Sequence, residues 1–404
     1  MRKQIAVSAL ILFFMVLATI LVVYYGKGYR IDFNKGAATI AGTGLLVTTS
    51  SPDGAQVFIN GHLTTATANT INLAPGTYDV KIVKEGYLPW EKNLVVKNEV
   101  VTKADALLFP TAPKLESITN LGALNPVIDP SRTKIAYTVA SQSAVKNGIY
   151  ILDTTSRPIL TLQSSSSQII NDTVNTFSKA QLQWSPDGSE ILASIPGVSS
   201  NTNYLLQANG YNQNPQDVSE TMASVNADWD RQRLEKEKSL TDALPSKLKK
   251  IVVSNFQVID WSPDETKILY VASQSAELPI IINPRLIGTD SNPEVRGIEK
   301  GKVYVYDIKE DRNYKILDSI ANGNQLSIYS PSPIMWFPDS AHLIYDHSKK
   351  VDIMEYDGGN QTTIYAGPFI DSFVFPWSDG SRVVIVTDLG NPYTSPNLYT
   401  VDLK

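Results

Sequence analysis

Cysteine is absent from this 404-residue chain, and histidine occurs only three times. Without thiols there is no disulfide, no thiolate zinc site, no iron–sulfur cluster and no cysteine nucleophile. Charge of one sign is also not in excess: 35 basic residues against 40 acidic ones leave a formal net charge of −5. That balance offers no bulk attraction to nucleic acid, and no nucleic-acid partner is expected. No Gly-x-Ser-x-Gly elbow, His-Glu-x-x-His pair or Walker-type phosphate loop occurs. His342 and His347 stand five apart, which on a strand points them to opposite faces, and His62 follows an Asn-Gly turn. No catalytic residue, metal ligand or cofactor is assigned, and the chain reads as a non-enzyme. Hydrophobic residues at 43% and charged residues at 19% still mark a globular protein.

The one long uncharged run is Ile5 to Tyr25. At about 1.5 Å per residue it spans the ~30 Å hydrocarbon layer. It is longer than the 7–15 apolar residues of a signal peptide and ends in Tyr-Tyr-Gly-Lys rather than a small-x-small cleavage site. We therefore expect an uncleaved transmembrane anchor at 5–25 behind a cytoplasmic tail at 1–4. Arg2 and Lys3 precede the span while Lys27, Arg30 and Lys35 follow it, so flanking charge does not orient it. A four-residue tail has no room for a domain, which places the bulk of the chain outside the cell membrane. Residues 26–43 read as a linker.

From 44 to 110 short alternating runs are separated by turn signals. Val57 and Ile59 share one face before Asn60-Gly61, a hairpin signal because both residues tolerate positive φ. Tyr78, Val80 and Ile82 share another face after Pro75-Gly76. This pattern resembles a PEGA domain. Pro52-Asp53-Gly54-Ala55 stands where the name-giving Pro-Glu-Gly-Ala lies, with Asp for Glu. Leu73-Ala74-Pro75-Gly76-Thr77-Tyr78 resembles the family's Leu-x-Pro-Gly-x-Tyr turn, and Gly86-Tyr87 its Gly-Tyr element. The family's Gly-x-Thr-Pro is replaced by Leu63-Thr64-Thr65-Ala66-Thr67, so a different loop is expected there. The resemblance implies a small β-sandwich serving as a spacer or adhesion module. Tyr87 and Trp90 read as core or domain-contact residues.

Residues 111–404 repeat one phrase: a strand, a turn, a charged or polar residue, and an apolar strand. Its turns centre on Trp184, Pro186 and Asp187; on Trp261, Pro263 and Asp264; on Trp336, Pro338 and Asp339; and on Trp377 and Asp379. A weaker copy is Ile128-Asp129-Pro130-Ser131. Proline presets the first corner, aspartate bonds its own backbone at the second, and glycine, where present, relaxes the exit. Each tryptophan is expected to fix a repeat onto its neighbour. The repeated aspartates read as structural rather than as a carboxylate cluster. Further strands, often ending in Asp, follow each copy, which makes four strands per unit and a β-propeller. Asp339 and Asp379 lie about one blade apart, ~40–45 residues. The longer intervals hold 211–250 and 277–301, which do not fit the repeat. Five blades are recognisable and six are possible. Lys114 to Ile118 resembles a fourth strand and is expected to complete the last blade.

In 211–250, Val218, Met222, Val225 and Trp229 fall at helical spacing, as do Leu240, Leu244 and Leu248. Ser239-Leu240-Thr241-Asp242 resembles a capping-box variant, and Pro245 should break or kink the second helix. A helical hairpin packed on a propeller face is expected, either covering the barrel or serving as a lid or docking surface.

The turn and its tryptophan resemble TolB-like, WD-repeat-related propellers, which usually have six blades. The all-β arrangement of anchor, PEGA sandwich and propeller resembles membrane-anchored PEGA proteins of small-genome bacteria. It implies a single-pass, extracytoplasmic binding or scaffold protein of the cell envelope. One helix tethers it to the membrane, and the propeller meets a protein or cell-envelope glycan. The alternatives are a propeller hydrolase using carboxylates or a metal, and a self-associating surface-layer component.

Overall fold

The computed structural model describes residues 2–26, 29–32, 39–155, 166–320, 332–370 and 373–404. Lys27 and Lys35, which entered the charge count around the anchor, lie outside them, as does Met1 of the expected tail. Helix α1, Arg2–Gly26, runs through the apolar segment without a proline, and its first glycine is its last residue. Within it Val7–Gly26 is 20 residues long, has a mean hydropathy of 2.7 and is 0% buried among the described residues.

The chain divides into two compact units. The first is 1–109 with 283–293, and the second is 110–282 with 294–404. In the first unit, Gly44–Ser51 lies between Asn69–Leu73 and Val101–Leu107, antiparallel to the former and parallel to the latter. A second sheet runs His62–Ala66, Gln56–Ile59, Gly76–Val83, Trp90–Val96. Alternating side chains of both sheets, including Leu46, Val57, Ile59, Val80, Ile82, Leu94 and Ala104, close one core with Trp90. Tyr87 packs half-buried against it.

The stretch 63–67, expected as a loop, is instead mostly strand, and a second strand follows it. His62–Ala66 and Asn69–Leu73 belong to different sheets, joined across Ala68 at φ 64°. Their outward threonines and asparagines hide the strand pattern. Thr67 is buried at that corner, where its hydroxyl accepts the Ala55 amide at 3.0 Å and lies 2.7 Å from Ser50 Oγ.

In the second unit the repeats form four-stranded antiparallel sheets. Sheet I is Leu124–Ile128, Lys134–Val139, Gly148–Asp153, Ser166–Asn171. Sheet II is Gln181–Trp184, Glu190–Ile195, Thr202–Gln207, Gln216–Asp217. Sheet III is Phe256–Trp261, Lys267–Ala272, Val303–Asp307, Arg312–Leu317. Sheet IV is Ile334–Trp336, His342–His347, Lys350–Glu355, Thr362–Ala366. Sheet V is Val374–Pro376, Arg382–Thr387 and Asn397–Asp402, and its fourth strand is Leu115–Ser117, taken from ahead of sheet I. There Leu115, Glu116 and Ser117 pair with Val401, Thr400 and Tyr399. This is the β-propeller arrangement, with its last sheet completed by the segment expected to do so.

Neighbouring sheets share cores. Sheets I and II meet through Ile149, Ile151, Trp184 and Ile191. Sheets III and IV meet through Leu269, Val305, Trp336 and Leu343. Sheets V and I meet through Trp377, Val384, Ile135 and Tyr137.

Between sheets II and III stands the helical pair α2, Met222–Asp242, and α3, Ser246–Asn255. Met222, Val225 and Trp229 of α2 pack with Val218 on Leu192 and Leu205 of sheet II. Leu244, Leu248 and Val252 pack on Phe256, Tyr270, Tyr304 and Tyr306 of sheet III. The pair therefore covers the flat apolar faces of two sheets, which corrects the expectation of a hairpin lying on a propeller face. Its limits also shift: Gln216–Asp217 is the fourth strand of sheet II, and α3 runs on to Asn255.

The capping box at Ser239–Asp242 is not one. Good helix formers carry α2 through those residues, with Thr221 at its N-cap, so Ser239 lies inside the last turns. Pro245 stands at the N-cap of α3 with φ −53°, a position where the missing amide costs nothing.

Candidate functional site

The repeated turns are the chemistry that the sequence singles out, and the structure shows what each residue does. In every copy an amide closes an i to i+3 turn: Arg132 to Asp129, Gly188 to Ser185, Glu265 to Ser262, Ser340 to Phe337 and Gly380 to Trp377. The closing residue is left-handed in all five, with φ 59°, 73°, 58°, 59° and 66° in that order.

In the four later copies the aspartate before it is engaged by its own turn. Asp187 Oδ1 accepts Ser185 Oγ at 2.6 Å and the Ser189 amide at 3.0 Å. Asp264 Oδ1 accepts Ser262 Oγ at 2.7 Å and Thr266 Oγ1 at 2.9 Å. Asp339 accepts the Ala341 amide at 2.8 Å, and Asp379 the Ser381 amide at 2.8 Å. The hydrogen bond from Ser185 holds the Asp187 carboxyl below its usual range, helped by the Ser189 amide. Burial pulls Asp264 up, but the Ser262 and Thr266 bonds outweigh it and the net shift is downward. Pro186 is buried, Pro338 half-buried and Pro263 exposed. No group of three or more His, Asp or Glu among the described residues is arranged to hold a metal ion.

The tryptophans are not equivalent. Trp184, Trp261 and Trp336 precede the turn and face backward along the chain: toward sheet I, toward α3 and toward sheet III. Trp184 Nε1 donates to Val127 O of sheet I at 3.1 Å. Trp377 is itself the first turn residue, one place later, so strand alternation turns it the other way, onto sheet I. Ser378 Oγ donates to Thr154 O at 2.7 Å on the same side.

Two features were not foreseen from sequence. Arg132, at the turn of sheet I, bonds Asp260 on the first strand of sheet III. Burial pushes the Asp260 carboxyl up despite that guanidinium. The other is the residue that opens each second strand: Lys134, Glu190, Lys267, His342 and Arg382. Across the ladder they face Asp153, Gln207, Asp307, Glu355 and Asp402. The signal was the polar residue after each turn, which the repeat pattern contains but which reads as solvated.

In the first unit, Pro52, Asp53, Gly54 and Ala55 form a corner rather than a ligand site. Gly54 has φ 75°, Lys84 Nζ donates to Asp53 O at 2.6 Å, and Ala55 is fully buried. The histidines are held apart: His342 Nδ1 is 2.6 Å from Asp339 Oδ2, while His347 Nε2 is 2.9 Å from Asp352 Oδ2.

Among solved structures, a putative TolB from Agrobacterium tumefaciens is 15% identical over 71% of this chain and 74% of its own, with a TM-score of 0.21. TolB from Acinetobacter baumannii is 14% identical over 81% of this chain and 60% of its own, at 0.22. An oligogalacturonate lyase in complex with manganese is 11% identical over 93% of this chain and 96% of its own, at 0.23. The propeller assignment rests on sheet topology, not on these scores. No curated protein matches the chain. By sequence, residues 43–111 match the PEGA domain family.

Proposed function

We propose that this chain is a membrane-anchored, non-enzymatic scaffold whose PEGA domain and propeller stand outside the cell and meet a protein or cell-envelope glycan. The observation that carries the reading is α1. Its Val7–Gly26 segment is long enough to cross a bilayer and is 0% buried among the described residues, directly ahead of a domain matching the PEGA family. The helix is continuous from Arg2, longer than a signal-peptide apolar region, which favours an anchor over a cleaved leader.

Carbonate washing of membranes tests the anchor, and protease shaving of intact cells tests the side. The full chain should stay with the membrane and lose its propeller to external protease. Release by carbonate, or protection from protease in intact cells, would refute the reading. Sedimentation of the full chain in nanodiscs at rising concentration separates a scaffold from a self-associating layer component.

A further inference from the structure

In sheets I, III and V the residue opening the second strand is a permanent cation, Lys134, Lys267 or Arg382, and the residue across the ladder is an aspartate. Arg382 Nε lies 3.0 Å from Asp402 Oδ1, and Lys267 Nζ lies 3.8 Å from Asp307 Oδ2. Sheet II departs from this with an acidic residue at the position, Glu190, to which the Gln207 amide donates at 2.7 Å. In sheet IV the position is His342, facing Glu355. Of these five residues only the imidazole can change charge near neutral pH.

The surroundings of His342 are acidic and closed. His342 is 8% exposed, and Glu355 and Asp357 are each 7% exposed. Its turn differs from those of sheets II and III, because Phe337 replaces the serine that accepts the strand amide there. Asp339 takes over that task, accepting the His342 amide at 3.0 Å on Oδ1 and meeting its ring on Oδ2. Glu355 Oε1 accepts Asn360 Nδ2 at 2.8 Å.

From sheet III, the Lys267 ammonium sits 4.7 Å from the Tyr356 ring centroid, and the Asp264 amide donates to Ser340 Oγ at 3.0 Å. From sheet V comes an uncharged contact: a Cβ on Gly380 would lie 2.9 Å from Phe337 Cε1, and the Phe337 ring meets His342 edge-on. The corner thus joins sheets III, IV and V.

We propose that His342 is the proton-operated form of the repeat cation. Protonated, it pairs with Asp339, offsets part of the negative charge of Asp339, Glu355 and Asp357, and holds the corner. Deprotonated, it withdraws its positive charge from the Asp339 contact and loosens the seam of sheet IV with its neighbours. Burial alone would lower the His342 pKa, but the Asp339 hydrogen bond and the attraction of Asp339, Glu355 and Asp357 raise it on balance. The stabilisation is therefore complete below the unfolded value, about 6.5, and is lost as pH rises through the higher folded value.

Urea unfolding of the full chain in nanodiscs between pH 6 and 9 tests this. The folding constant of the propeller should fall above about pH 6.5, at most tenfold per pH unit. H342R should flatten that fall, H342Q should flatten it and destabilise the protein at pH 6, and H347Q should keep the wild-type profile. A flat wild type, or an H342Q profile with the wild-type slope, would overturn the proposal. If the His342 variants do not fold, hydrogen exchange of the wild-type chain decides. Corrected for intrinsic rates, the Ala341 and His342 amides should open more often at pH 8.5 than at pH 6.5, and unchanged protection would refute the idea.

Discussion

At the scale of single residues the turns carry a graded strain. Five copies need a left-handed closing residue, yet only Gly188 and Gly380 supply glycine, while Arg132, Glu265 and Ser340 adopt the same φ at a cost. Gly188→Ala should destabilise the propeller by about 1 kcal/mol, and Glu265→Gly should be neutral or slightly stabilising, both read from denaturant midpoints. The turn carboxylates set the acid limit. Asp187 and Asp264 are held below the usual range, so their contribution is present above the unfolded value, about 3.9, and is lost as pH falls through their folded values. Asp187→Asn should make acid unfolding below pH 4 less steep.

The turn sequence announced its own geometry because proline, aspartate and glycine act locally. It did not announce the direction of Trp377. The missing proline in Trp377-Ser378-Asp379-Gly380 moves the tryptophan into the turn, and a one-place shift on a strand reverses the face. The charged residue after each turn was legible as a repeat, but its cross-strand partner was not, because the partner lies one strand further on.

At the scale of elements, the helical pair was legible as helices because its apolar stripes are periodic. Its site was not, since a stripe does not say which surface it covers. Trp229→Ala should cost roughly 3–5 kcal/mol, because the ring is 3% exposed and seated on sheet II. Leu234→Ala, on an exposed position of the same helix, should be nearly silent, both variants being read by thermal melting.

The segment 283–293 was visible only as a stretch that broke the repeat. Both its ends are tied within the second unit: Asp311 Oδ2 accepts the Ile281 and Ile282 amides at 2.7 and 2.9 Å, and the Val295 amide donates to Asn313 O at 2.7 Å. Its middle belongs to the first unit. There Asp290 Oδ2 lies 3.2 Å from Lys92 Nζ, with side chains 9% and 10% exposed, and Ser291 Oγ accepts the Val95 amide at 3.0 Å. Breaking so buried a pair with Asp290→Ala should destabilise the first unit by roughly 3–5 kcal/mol and speed exchange at Val95, measured by hydrogen–deuterium mass spectrometry.

For the whole molecule, the closure of sheet V by Leu115–Ser117 joins the start and end of the propeller. A chain without cysteine allows a clean test, because an introduced pair has no wrong partner. Ser117→Cys with Tyr399→Cys, facing each other across the ladder, should oxidise spontaneously and stabilise the propeller by up to about 5 kcal/mol, reversibly on reduction. Failure to form the bond would contradict that pairing.

The divided first unit has its own consequence. Because 283–293 folds with 1–109, the backbone passes between the two units at three places rather than one. A single protease nick near 109 would cut the chain in two, yet 1–109 would still be held, without a covalent bond, by its packing with 283–293. A genetic graft of the PEGA region cut at 43 and 111 would leave behind the acidic side chain that Lys92 meets, so a transplant that keeps this contact must carry two pieces of gene.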